Sequence, residues 1–131
     1  MKYSQDAGVI MSKILIVDDS PAQLYCLRQI VERGGHQIVT AESGEQAIEL
    51  ATDEHPEVIL MDIVMPGMNG YQAKRKLGKG QSTRHIPVIF VSTKNGEADR
   101  AWGLRQGASE YVTKPVNPNL LLTAISEAMA A

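Results

Sequence analysis

The chain has a single cysteine, Cys26, so no internal disulfide can form and a reducing compartment is expected. Cys26 sits in a helical pattern with Leu24, Leu27, Ile30 and Val31, which predicts a buried, inert thiol rather than a nucleophile. No apolar stretch approaches the roughly 18 residues that a membrane-spanning helix needs. Residues 1–12 lack the continuous apolar region of a secretory signal. A cytoplasmic location, without membrane insertion, is therefore expected. Neither sign of charge is in large excess: 13 Lys and Arg stand against 15 Asp and Glu, a net charge of −2. That balance offers no bulk attraction to nucleic acid, and no nucleic-acid partner is expected. His36, His55 and His85 lack metal-ligand spacing and read as surface or loop residues. Internal repeats, low-complexity tracts and interdomain linkers are also missing.

What is present is a chain of 131 residues, 44% hydrophobic and 21% charged, which suits one domain with a substantial core. Residues 1–12 read as a flexible N-terminal extension and residues 13–131 as the folded domain, with no output domain expected after the last helix. Strand and helix alternate five times. Strands are predicted over 13–17, 36–40, 58–61, 88–91 and 110–113. Helices are predicted from Ser20-Pro21 to about 33, after Ser43-Gly44, over about 70–77, 97–105 and 118–129. Ser20 suits an N-cap and Pro21 the first helical position, while Gly34-Gly35 stops the first helix. Five such units mean an α/β fold, doubly wound, with a five-stranded parallel sheet and helices on both faces.

Four apolar runs end in polar, reactive residues. Ile14-Leu15-Ile16-Val17 precedes Asp18-Asp19, Val58-Ile59-Leu60-Met61 precedes Asp62, Val88-Ile89-Phe90-Val91 precedes Ser92, and Tyr111-Val112-Thr113 precedes Lys114-Pro115. Apolar runs rich in β-branched residues read as strands buried on both faces. In a parallel sheet all ends of one kind lie on one edge. Three carboxylates, a hydroxyl and an ammonium are thus expected in one crevice, a site suited to phosphoryl chemistry. Each residue also has a plainer reading. A lone aspartate after a strand is usually a turn former or cap. Asp18-Asp19 resembles a solvated helix start, and Lys114 a surface lysine. The convergence of all of them is what favours chemistry.

Taken in order, Ile16-Val17-Asp18-Asp19-Ser20, the run from Leu60 through Asp62 and Pro66 to Gly70, Pro87 to Ser92, and Gly107 to Pro115 carry a resemblance. Over about residues 13–130 the chain resembles the receiver domain of bacterial two-component response regulators. The strand order 2-1-3-4-5 is expected, as in known flavodoxin-like sheets. The stretch Trp102 to Ala108 further resembles single-domain receivers of the chemotaxis-like system that controls type IV pilus twitching.

The resemblance implies roles residue by residue. Asp62 is the phosphoacceptor, since a carboxylate can attack phosphorus to give an acyl phosphate. Asp19 and Asp62, with the backbone carbonyl of Val64, bind Mg²⁺ directly, and Asp18 acts mainly through water. Three clustered carboxylates repel one another, and a divalent cation relieves that repulsion. Lys114 meets the phosphoryl oxygens, aimed by a cis Lys114-Pro115 peptide. Ser92 is the switch hydroxyl and Tyr111 its aromatic partner, with a half-buried strand tyrosine as the plainer reading. Val64 and Lys94 flank the path of hydrolytic water, and Thr93 replaces the small residue common after the switch position. Valine cannot orient water, and a lysine there can cover the phosphoryl group, which bears on its lifetime.

The expected function is a stand-alone phosphorylation switch, monomeric, loaded by a chemotaxis-like histidine kinase and acting on an unidentified protein target. Two alternatives are a receiver that only drains phosphoryl groups, and a Mg²⁺-dependent phosphohydrolase with an aspartyl nucleophile. For the latter the sequence supplies neither a further general acid nor a substrate lid. Outside the site, the basic run Lys74-Arg75-Lys76 with Lys79 and Arg84 reads mainly as a solvated helix face, with docking to an acidic partner the lesser reading. Trp102 reads as packing or as a partner anchor.

Overall fold

Alternate residues of each inner strand enter opposite cores, which is why these strands are apolar throughout. In β1 (Lys13–Val17), Ile14 and Ile16 point one way and Leu15 and Val17 the other. β3 (Val58–Met61) and β4 (Val88–Ser92) divide in the same manner. β2 (Gln37–Ala41) and β5 (Glu110–Thr113) form the two edges and expose part of their length. All pairs are parallel, and the order is β2-β1-β3-β4-β5, as expected. The structure, a computed structural model, describes residues 12–131. The expected extension over residues 1–12 therefore lies outside the described residues, apart from Ser12, whose carbonyl accepts the Gln37 N–H at 2.8 Å.

Five helices cover the sheet: α1 (Pro21–Arg33), α2 (Gly44–Glu54), α3 (Gly70–Lys79), α4 (Glu97–Arg105) and α5 (Pro118–Ala130). Helices α1 and α5 supply Leu24, Leu27, Val31, Leu121 and Ile125 to one core. Helices α2 and α3 bring small residues, Ala47, Ala51 and Ala73, to the other, against the larger Met61, Phe90 and Tyr111. Fully burying one Leu or Ile stabilises the fold by about 1.5–3 kcal/mol before entropy is counted. The helix starts obey local chemistry. Ser20 Oγ accepts the Gln23 N–H at 3.3 Å, with Pro21 in the first turn. Asn69 and Gln72 cap α3 reciprocally.

Three expectations need correction. The second strand runs 37–41 rather than 36–40, because Gln37 pairs with Lys13 and the Ala41 carbonyl is taken by the Asp18 N–H. The third helix continues to Lys79 and stops at Gly80. Cys26 is exposed, not buried. Helix α1 buries Leu24, Leu27 and Val31, a stripe at three- and four-residue spacing, and Cys26 lies about 100° away from Leu27 around the helix.

Candidate functional site

The site grows out of the ends of the ladder. Beyond the last residue of β1, the Asp18 N–H still bonds to the β2 carbonyl of Ala41 at 3.1 Å. Beyond β3, the Asp62 N–H bonds to Val17 at 2.9 Å, and beyond β5 the Lys114 N–H bonds to Ser92 at 2.8 Å. Each reactive side chain thus leaves a backbone that a neighbouring strand still holds. A site built on such ends is positioned by the whole sheet rather than by a free loop.

Asp18, Asp19 and Asp62 each offer a carboxylate oxygen within 4.8 Å of the others. Asp18 is buried and both of its oxygens are engaged: Oδ1 accepts the Ser20 N–H at 3.0 Å and Oδ2 the Lys114 ammonium at 2.7 Å. Lys114 Nζ also stands 3.8 Å from Asp62 Oδ1. The side chain of Lys114 is 8% exposed, so its charge acts in a poorly hydrated crevice where pairing matters. Asp19 projects to solvent. The Lys114-Pro115 peptide is cis, as the resemblance implied.

Asp62 is nearly buried, and its Oδ1 accepts the Ile63 N–H at 2.9 Å. Burial pushes its carboxyl above the usual aspartate range, and the neighbouring Asp18 charge adds to that rise. The Lys114 ammonium and the Ile63 N–H pull in the opposite direction without cancelling it. A cation placed among the three carboxylates would reverse this balance and favour the ionised form. The chemistry of the donor set, hard oxygen ligands in a crevice with an open side, suits Mg²⁺.

Ser92 is fully buried, and its Oγ accepts the Lys94 N–H at 3.1 Å. Its hydroxyl proton remains available for an incoming oxygen. Tyr111 is 2% exposed, so the half-buried alternative gives way to full burial. Its hydroxyl donates to the Lys94 carbonyl at 2.6 Å, and burial pushes that hydroxyl's pKa up, which keeps the donor protonated. Ser92 and Tyr111 therefore grip the same residue, Lys94, by its two backbone groups. The Val64 and Lys94 side chains are both exposed.

Sequence reasoning missed three residues around these groups. Gly70, at the start of α3, lies against the Asp62 carbonyl and Ile63 so closely that a Cβ there would collide with backbone. Gly103 is the one buried residue of α4, and a Cβ there would meet the Tyr111 ring at 2.6 Å. Arg100 donates to the Tyr111 carbonyl at 2.8 Å and to Glu110 at 2.9 Å, tying α4 to β5. Only Gly70 carried a local signal, its place at the end of the Pro66-Gly67-Met68-Asn69-Gly70 turn. The partners of the other two come together only in three dimensions. Trp102 is 46% exposed, with its ring edge-on to Tyr71, so it is partly packed and partly available.

A model described as the response regulator receiver domain matches residues 14–126. The chain is 52% identical over 120 residues to Protein PilH of Pseudomonas aeruginosa, covering 92% of this chain and 99% of that protein. Among solved structures, a CheY-like receiver domain protein from Methanospirillum hungatei is 30% identical, with a TM-score of 0.82 over 92% of this chain and 95% of that one. The receiver domain of the sensor histidine kinase PA1611 from Pseudomonas aeruginosa shares the fold, with a TM-score of 0.85 over 93% of this chain and 100% of that one at 24% identity. That structure has a magnesium ion coordinated in its active-site cleft. The described residues include no helix long and apolar enough to cross a membrane. The sheet order, the convergent crevice and these matches place the chain in the response regulator receiver domain family.

Proposed function

We propose that the chain is a phosphorylation switch in which Asp62 accepts a phosphoryl group from the phosphohistidine of a histidine kinase. The observation that carries this reading is the nearly buried Asp62 carboxylate, set among two further carboxylates and 3.8 Å from the Lys114 ammonium. Its Oδ2 makes no hydrogen bond among the described residues, while Oδ1 is held by Ile63. The free oxygen attacks phosphorus, the P–N bond to the donor imidazole breaks, and the imidazole leaves with the electron pair and takes up a proton. Asp19, Asp62 and the Val64 carbonyl are the proposed direct ligands for Mg²⁺, which when bound offsets the charge gathered on carboxylate and phosphoryl oxygens. Asp18, with both oxygens already engaged, acts through water. Lys114 supplies positive charge to the phosphoryl oxygens, and the Ser92 hydroxyl donates to one of them.

The response follows from the grip on Lys94. A Ser92 hydroxyl turned toward a phosphoryl oxygen draws its loop inward, and Tyr111 and α4 share that loop. Phosphorylation thereby biases a pre-existing equilibrium. The resemblance of the Trp102 to Ala108 stretch to receivers of the twitching system, alongside the 52% identity to Protein PilH, supports a place in a chemotaxis-like pathway controlling type IV pilus twitching, with output by protein contact or by draining a shared kinase. Acetyl phosphate or phosphoramidate with Mg²⁺ should add the mass of one phosphoryl group to the wild type and none to Asp62→Asn. A wild type that gains no such mass overturns the reading.

A further inference from the structure

Helices α2 and α3 lie side by side on one face of the sheet and carry opposite charge. Residues 42–57 hold six carboxylates and no lysine or arginine, whereas residues 70–85 hold five lysines and arginines and no carboxylate. On α2, Glu45, Glu49 and Asp53 are exposed at four-residue spacing and form one acidic row. On α3, Arg75, Lys76 and Lys79 are exposed as a basic row. Like charges at this spacing on one helix repel, costing each helix stability. The monomer does not relieve this cost: among the described residues none of these six side chains joins an ion pair within 4.0 Å. Of the four ion pairs present, one joins Glu54 at the end of α2 to Lys13, one joins Arg100 to Glu110, and two involve Lys114.

We propose that this face pairs with the same face of a second copy of the chain. A twofold axis running along the groove between α2 and α3 sets the acidic row of each copy over the basic row of the other. Both contacts form at once, so the face is complementary to itself. The two helices have 11 and 10 residues, about 16 and about 15 Å at 1.5 Å per residue, so the rows match in length. A groove of about 420 Å³, lined by Gln72, Arg75, Lys76 and Lys79 with Met68 and Gly67, offers room for the opposing carboxylates. The same acidic neighbour argues against an extended polyanion, which would meet α2 beside every contact to α3. Being small and polar, the contact is weak and transient, and in dilute solution the monomer expected from the sequence dominates.

Sedimentation velocity over a concentration series tests this at about 20 mM and about 500 mM salt, where the screening length falls from about 20 Å to about 4 Å. The wild type should self-associate at low salt, with a dissociation constant rising about tenfold or more at high salt. The variants Lys76→Glu/Lys79→Glu and Glu45→Lys/Glu49→Lys should each stay monomeric. An equimolar mixture of the two should associate at least as well as wild type, because one then presents two acidic rows and the other two basic ones. That rescue also shows that both variants are folded. A wild type that remains monomeric at low salt overturns the proposal and leaves the basic row to a different, acidic protein. A mixture no more associated than its separate components overturns it as well.

Discussion

Helices α4 and α5 flank the same edge strand, β5, yet different forces hold them there. Helix α5 buries Leu121, Ala124, Ile125 and Ala128. Helix α4 buries Gly103 alone. In place of apolar area, α4 has the Arg100 guanidinium on the Tyr111 carbonyl and on Glu110, and its preceding loop has the Tyr111 hydroxyl on Lys94. Apolar burial is graded and non-directional, so α5 has little reason to move. Hydrogen bonds at a half-exposed edge exchange with water at small net cost. The element beside the proposed switch residues is thus attached by contacts that can be traded, while the opposite face is anchored by packing. Low local stability of this kind is where moving elements are drawn from.

The largest expected effect sharpens the anchored side. Ile125→Ala opens a cavity in the core between α1, α5 and the sheet and should cost about 2–5 kcal/mol, read as a lower urea midpoint. Tyr111→Phe keeps the packed ring and deletes only the bond to Lys94. It should cost about 0.5–1.5 kcal/mol and speed amide exchange in residues 93–97 more than in α5. The smallest effect belongs to Arg100→Ala. Its side chain is 52% exposed, so the pair with Glu110 is screened, and the global loss should stay near 0.5 kcal/mol. Exchange in α4 should rise nonetheless. The comparison breaks if Arg100→Ala lowers the urea midpoint as far as Ile125→Ala does, or if exchange in α5 rises with that in α4.

Why some features were legible and others not follows from the range of the forces. Strands β1, β3 and β4 announced themselves because burial on both faces demands unbroken apolar runs. The helix starts at Ser20, Ser43, Asn69 and Asn117 are local events between residues two to three apart. Cys26 was misjudged because Leu24, Leu27 and Ile30 leave two faces of α1 open to the apolar reading, and only the position of the sheet decides between them. The Arg100 contacts span ten and eleven residues and cross a turn, so no periodicity reveals them.

For the site itself, the sequence determined which groups meet. A parallel sheet sends every strand end of one kind to a common edge, so Asp18, Asp19, Asp62, Ser92 and Lys114 had to converge once the strands were recognised. It also determined the charge of each helix, since charge is carried by residue identity. Tertiary structure alone decided how the groups are used. Lys114 faces two carboxylates and lies nearest to Asp18. Ser92 and Tyr111 both hold Lys94 by its backbone. Glycine at position 103 lets α4 rest on the Tyr111 ring. Those outcomes depend on distances of a few ångströms between elements far apart in the chain, which are set by packing and by the competition of burial with charge.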